Sequence, residues 1–242
     1  MPGLLPYLYI IPFFLAYLVL DVSLRYTYRS AGIVGVRYLP ACLFTLGWAL
    51  LMAGLIFFLP KIPRWFFRCV PLVTCVVITV THSGFMNAFR RFFSFSVLTY
   101  GGTGSFMDAS YISISKKVIV GCAVTVLLMM TSGRLLTVIP PRAVKKSVLT
   151  GVGVFVVGIA LVVFTHVHYF PVVDTVIWEN DADSAQRTAY HEFNDSTNAL
   201  MVSGLYQYTV RDLWNQLFPA NALSDEDRQQ IEDYIAEYEA AQ

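Results

Sequence analysis

Charge is scarce in this chain. Charged residues are 14% of 242, against ~25% in ordinary globular proteins, while 56% are hydrophobic and the mean hydropathy is +0.59. That excludes a disordered chain, which needs low hydrophobicity and excess charge. Cysteine is scarce too. Cys42, Cys69, Cys75 and Cys122 lack C-x-x-C spacing and fall in apolar runs, which excludes a disulfide-built scaffold and reads as small apolar residues rather than a zinc site. The start, Met1-Pro2-Gly3-Leu4-Leu5, has no positive charge, so the first apolar run reads as a retained anchor and not a cleaved secretory signal. No internal repeat of the transporter kind is visible, and the apolar runs hold no acid, which disfavours a proton or ion pathway.

What is present is a division. Residues 1–169 hold 14 Lys and Arg against 2 acids; residues 170–242 hold 3 Arg against 14 acids. A basic membrane domain, 1–169, is thus joined to an acidic tail, 170–242. Nucleic-acid binding is excluded, because the basic residues flank apolar runs and the soluble part is acidic.

About 20 mostly apolar residues cross a hydrocarbon core of ~30 Å. Five stretches qualify: 4–20, 38–59, 69–89, 118–139 and 147–169. Prolines at 60, 63, 140, 141 and 171 cluster at their ends, and Arg134 snorkels toward the interface. The expected fold is therefore an all-α membrane protein with five transmembrane helices, an interfacial segment before the fourth and a helical tail outside. Seven basic residues fall on each side, so the positive-inside count is silent. The tail has only three Arg in 73 residues, which favours its export and sets the N-terminus inside.

Two regions are candidate functional surfaces. The segment 90–117 opens with Arg90, Arg91, Phe92 and Phe93, runs through Gly101-Gly102-Thr103-Gly104 and ends at Lys116 and Lys117. Paired cations beside aromatics suit the headgroup layer and anionic lipid, or an ordinary basic loop held by interfacial aromatics. The glycines lack the Gly-Lys-Ser/Thr ending of a phosphate-binding loop and read as a turn. In the tail, Tyr206, Val210, Leu213, Trp214 and Leu217 follow helical spacing after Gly204, as do Ile231, Tyr234, Ile235 and Tyr238 behind the cap Ser224. Neither stripe can bury itself, so each expects a surface: the bilayer, the membrane domain, or another domain. His166 and His168 lack a neighbouring acidic or Cys ligand and read as interfacial, and His82 reads as packed or interfacial.

The order of these features, with Phe89-Arg90-Arg91-Phe92-Phe93, Ser110–Lys117, Gly204-Leu205-Tyr206-Gln207-Tyr208 with Asp212, and Ser224-Asp225-Glu226-Asp227 with Ile231 and Tyr234, resembles the lipoteichoic acid synthase family over nearly the whole chain. The resemblance implies a membrane domain and linker leading to an extracellular alkaline-phosphatase- or sulfatase-like domain. It further implies a threonine nucleophile, a divalent metal (typically manganese) and phosphoglycerol transfer from phosphatidylglycerol in a bacterial cell membrane. The catalytic domain is expected beyond Gln242, so residues 1–242 are expected to hold no catalytic residue, metal or cofactor. Thr188, in Arg187-Thr188-Ala189-Tyr190-His191-Glu192-Phe193, echoes the nucleophile segment but has no base or metal cluster after it. The partners expected are the bilayer, phosphatidylglycerol, and the catalytic domain or a partner protein. The alternatives are a non-enzymatic membrane protein whose acidic tail docks a partner and, third, a small transporter.

Overall fold

The computed structural model describes residues 10–28, 38–58, 61–97, 113–137, 144–171, 182–192 and 195–218. Among these the fold is all-helical. Five long helices come first: α1 (Ile10–Thr27), α2 (Tyr38–Phe58), α3 (Lys61–Phe89), α4 (Lys116–Thr137) and α5 (Val144–Tyr169). Three short ones follow: α6 (Ala182–Glu192), α7 (Ser196–Ser203) and α8 (Leu205–Leu217). Two described helical stretches, Cys69–Phe89 of α3 and Val148–Tyr169 of α5, are long and apolar enough to cross a membrane.

The bundle is assembled by close backbone approach. On α2 and α5, Gly47 lies against Gly158 and Val162, and Gly54 against Gly151 and Phe155. A Cβ on Gly158 would fall 2.8 Å from the Leu51 backbone nitrogen and 3.0 Å from the Gly47 carbonyl oxygen. Small residues at such points let helices gain dispersion and dipole contacts that bulkier ones prevent. The α1–α4 pair meets likewise at Gly121, where a Cβ would sit 2.5 Å from Ser23 Oγ. Thr125, one turn on, donates to the Ala16 carbonyl at 3.2 Å, so both pairs run antiparallel. Ser83 near the end of α3 bonds both Tyr28, just beyond α1, and the Ser115 nitrogen before α4. Residues at the end of α5 meet Phe44 near the start of α2. The end of α1, the start of α2, the end of α3, the start of α4 and the end of α5 therefore lie on one side, and α6–α8 join them there.

The core is chiefly apolar, with Phe13, Leu20, Leu24 and Phe44 fully buried, but polar residues share it and large apolar ones stand outside. Asp21, Arg25, Thr45, Thr79, His82, Ser83, Thr125 and Thr165 are buried, while Leu149, Val120, Leu127, Met130, Val163 and Val167 are exposed. Several buried hydroxyls are satisfied within their own helices: Thr45 donates to the Ala41 carbonyl at 2.8 Å and Thr165 to that of Leu161 at 2.7 Å. Large exposed apolar faces of this kind mark surfaces made for something other than water.

Three differences from the sequence expectations concern positions. Pro71 lies inside α3, which begins eight residues before the expected 69–89 stretch. The first apolar stretch ends at residue 20, yet α1 continues to Thr27 and carries a buried acid, Asp21, paired with Arg25 at the next turn. Helices α6 and α7 were not foreseen. Helix α6 is mostly polar and α7 buries five consecutive residues, Ala199 to Ser203, so neither carries a clear apolar stripe. Helix α7 is nonetheless announced locally: Asp195 caps it, accepting from the Thr197 and Asn198 nitrogens.

Candidate docking site of the tail on the helical bundle

Residues 204–212 join the tail to the bundle through a series of polar contacts. Gly204 ends α7, precedes α8 and has φ 79° and ψ 165°, a backbone region open essentially to glycine alone. A Cβ there would stand 3.2 Å from both the Ala41 carbonyl oxygen and Asp21 Oδ1, so the turn is pressed directly onto α1 and α2. Gly204→Ala is expected to cost about 1–3 kcal/mol from backbone strain. The checking measurement is amide exchange, which should rise across 205–217 and stay unchanged in α5.

The carboxylate of Asp21 organises this point. Its Oδ1 accepts from the Leu205 backbone nitrogen at 2.8 Å and from Arg25 Nε at 3.0 Å, and its Oδ2 pairs with Arg25 Nη2. Leu205 opens α8, where backbone N–H groups have no partner within the helix, so a buried acid at the positive end of the helix dipole is doubly favourable.

The next residues each reach a different helix. Tyr206 donates from its hydroxyl to the Tyr17 carbonyl at 2.9 Å, with the two rings 4.8 Å apart. Gln207 accepts from Trp48 Nε1 at 3.0 Å and donates to Tyr190 Oη at 2.9 Å; that hydroxyl also meets His166 Nδ1 at 3.0 Å. These bonds join α2, α8, α6 and α5 in one chain. Tyr190 is further clamped by stacking on Phe170 at 4.1 Å and on Phe44 at 5.9 Å, with the Arg211 guanidinium 3.8 Å above its ring. Arg211 also donates to the Tyr190 carbonyl. Burial raises the Tyr190 hydroxyl pKa, against the opposing pull of Arg211 and Gln207, so it stays protonated and able to donate.

Tyr208 and Asp212 hold the segment that follows α3. Tyr208 donates to the Phe93 carbonyl at 3.0 Å, while Asp212 accepts from Ser94 Oγ and the Phe95 nitrogen, each at 2.7 Å. Burial raises the Asp212 pKa, and those two bonds oppose the rise. The folded state thus binds its proton more tightly than the unfolded chain. Asp212 therefore favours folding most below its unfolded pKa, and that contribution falls as pH rises through the raised folded value. The melting temperature of the protein relative to Asp212→Asn should accordingly decline with rising pH across this window.

The sequence candidates divide between core and surface. Arg90 caps α3 with φ 58°, and the sharp turn leaves Arg90 and Arg91 exposed while sending Phe92 inward. Phe92 is 1% exposed, edge-on to His82 at 5.8 Å and Tyr28 at 6.0 Å, so it packs the bundle instead of meeting headgroups. Phe93 is half-buried against Phe85, His82 and Phe95. His82 is a packed residue whose ring nitrogens have no hydrogen-bond partner among the described residues. Lys116 and Lys117 are exposed at the start of α4. In α8, Tyr206 faces inward, whereas Val210, Leu213, Trp214 and Leu217 are exposed. Ile231, Tyr234, Ile235 and Tyr238 lie outside the described residues. Asp21, Arg25, Trp48, Tyr190 and Arg211 were missed by the sequence reading. The four-residue spacing of Asp21 and Arg25, suited to a pair on one helix face, was the available signal.

Chemically, the hydrogen bonds and ion pair of this junction fasten the tail to the bundle. Thr188 is exposed on α6, and no group of three or more His, Cys, Asp or Glu that could hold a metal converges among the described residues. The chain matches no family model, no curated protein and no solved structure.

Proposed function

We infer that this chain is the membrane-anchoring domain of a phosphoglycerol transferase of the lipoteichoic acid synthase kind, holding an extracytoplasmic catalytic domain over phosphatidylglycerol. In this reading α1–α5 all span the bacterial cell membrane with the N-terminus cytoplasmic, and α6–α8 sit on the outer face. The nucleophile and divalent metal belong to a domain beyond residue 242.

The observation that carries this reading is the docking of 204–212. A passive tether needs no fixed geometry, whereas here Leu205 and Tyr206 bond α1, Gln207 bonds α2, and Tyr208 and Asp212 bond the segment that follows α3. That fixes the direction in which the chain leaves α8, as a platform for a domain working at a set height requires. The apolar exterior of α4 and α5 supports the membrane placement.

The first test is the mass of the native polypeptide in its host membranes, detected with an antibody to residues 182–218. A product much larger than 27.2 kDa is expected; a product of 27.2 kDa would sink the reading. In the full-length protein, Arg90→Ala with Arg91→Ala should lower phosphoglycerol transfer at unchanged abundance, because both arginines stand exposed on the same side as the tail. Unchanged activity would remove them from lipid guidance.

A second reading is favoured by one observation: Val210, Leu213, Trp214 and Leu217 of α8, with Phe218 just beyond it, are exposed apolar residues. In that reading the chain is a non-enzymatic membrane protein whose tail docks a partner. Trp214→Glu should then abolish partner binding without affecting membrane insertion.

A further inference from the structure

We propose that the groove between α1 and α4 is a binding site for an anionic glycerophospholipid, with one acyl chain in the groove and the phosphate on Lys116 and Lys117. This deepens the anchoring reading by naming a lipid site, and it rests on that reading's membrane placement.

The groove holds about 680 Å³, within the ~300–1,000 Å³ typical of small-molecule sites. Its form follows from the helix pairing. Gly121 brings the backbones of α1 and α4 close at the floor, and Leu18, Val22, Val120 and Val124 stand as walls on either side. Val22, Val120 and Val124 are exposed, so the walls are unoccupied by any described part of the chain. Between these walls the lining is almost wholly apolar and suits hydrocarbon.

One end of the groove is different. Lys116 and Lys117 occupy the first turn of α4, which contains no acid. Cations at the positive end of a helix dipole are unfavourable, and a bound anion would offset that cost. Both lysines are exposed, and among the described residues neither is ion-paired; Asp21 and Arg25 form the ion pair found there. The Lys117 ammonium sits 4.8 Å above the Tyr26 ring, at the same end of the groove. An apolar channel ending in two cations that have no acid beside them among the described residues complements an amphiphile: a hydrocarbon chain with a negative head. A zwitterionic lipid would bring its own cation to the lysines, and a free phosphate would leave the channel empty. The anionic amphiphiles that make up a bilayer leaflet are glycerophospholipids, and the site is assigned to them.

The test uses the full chain, purified in a neutral detergent. Native mass spectrometry and thermal melting would be recorded with phosphatidylglycerol, phosphatidylcholine or glycerol phosphate. Two variants probe the two halves of the site independently: Lys116→Gln with Lys117→Gln removes the charge, and Val120→Trp fills the groove. All three positions are exposed, so the fold should survive, as an unchanged helical circular dichroism spectrum would verify. The wild-type protein should bind phosphatidylglycerol in preference to phosphatidylcholine and ignore glycerol phosphate. At ~1 kcal/mol per lysine near a membrane surface, the double glutamine variant should bind about thirtyfold more weakly. Val120→Trp should lose the bound lipid with both lysines intact. Equal binding of the two lipids, tight binding of glycerol phosphate alone, or unaltered phosphatidylglycerol binding in either variant would overturn the site. Liposome flotation separates the two levels. A chain that floats but shows no anionic preference defeats the groove alone, and one that does not float defeats the membrane reading as well.

Discussion

Replacing Asp21 by Ala should destabilise the protein by about 3–5 kcal/mol, because it removes the carboxylate that pairs with a buried cation. Asp21 is 0% and Arg25 2% exposed, so water cannot take over the lost interaction. The same substitution strips the Leu205 nitrogen of its acceptor, and an unsatisfied buried donor adds about 1–3 kcal/mol. Both losses fall at the junction of α1 with α8, so the damage should appear as undocking of the tail as well as a lower melting temperature in detergent. A paired replacement distinguishes charge burial from packing. Asp21→Leu with Arg25→Met removes both charges together and should recover much of the loss, since isolated buried charges cost more than absent pairs. Recovery should remain incomplete, because Leu205 still lacks its acceptor. If Asp21→Ala melts within a degree of the parent, Asp21 is not the organiser of this junction.

The second large effect concerns the α2–α5 seam. Gly158→Leu should cost about 3 kcal/mol, the upper part of the range for overpacking. The atoms a new side chain would strike are the Leu51 backbone nitrogen and the Gly47 carbonyl oxygen, which belong to a helix and cannot swing aside. The helices would have to separate, which also opens the neighbouring Gly54–Gly151 contact one heptad away. Gly153 supplies the control on the same helix: a Cβ there meets nothing within 4 Å. Gly153→Leu should be neutral or slightly stabilising, because glycine in a helix interior costs about 0.5–1 kcal/mol relative to alanine. Thermal melting of both variants in one detergent is sufficient. Equal loss in the two would mean that helix propensity, not close approach, governs the seam.

Phe92 and Tyr206 illustrate how far the candidate site was legible. The sequence placed Phe92 with two arginines as a headgroup-facing cluster, a reasonable reading of composition. The left-handed turn at Arg90 divides that cluster, putting the cations outside and the ring inside. A local run of residues does not announce a reversal of direction when the turning residue is not glycine. In α8 the helix and its start at Gly204 were readable from spacing, but the orientation was not. Tyr206 docks inward beside Gln207, Tyr208 and Asp212, while Val210, Leu213 and Trp214 face out. Periodicity identifies an apolar face without saying whether that face or the polar one meets the bundle, and here the bundle offers polar partners.

The sequence by itself determined the helical class, the apolar runs that become the long helices, the basic and acidic halves, and the glycine from which α8 starts. These follow from local chemistry: hydrophobic length, helical period and backbone freedom are properties of neighbouring residues. The tertiary structure alone decided that the acid beyond the first run joins its helix and meets the tail, 184 residues away. It likewise decided that Trp48, Gln207, Tyr190 and His166 form one chain and that α1 and α4 leave a groove below two lysines. Each of these depends on helix pairing, whose partners are chosen by shape at Gly47, Gly121 and Gly158. A small residue in a sequence does not name the surface that will come to rest against it.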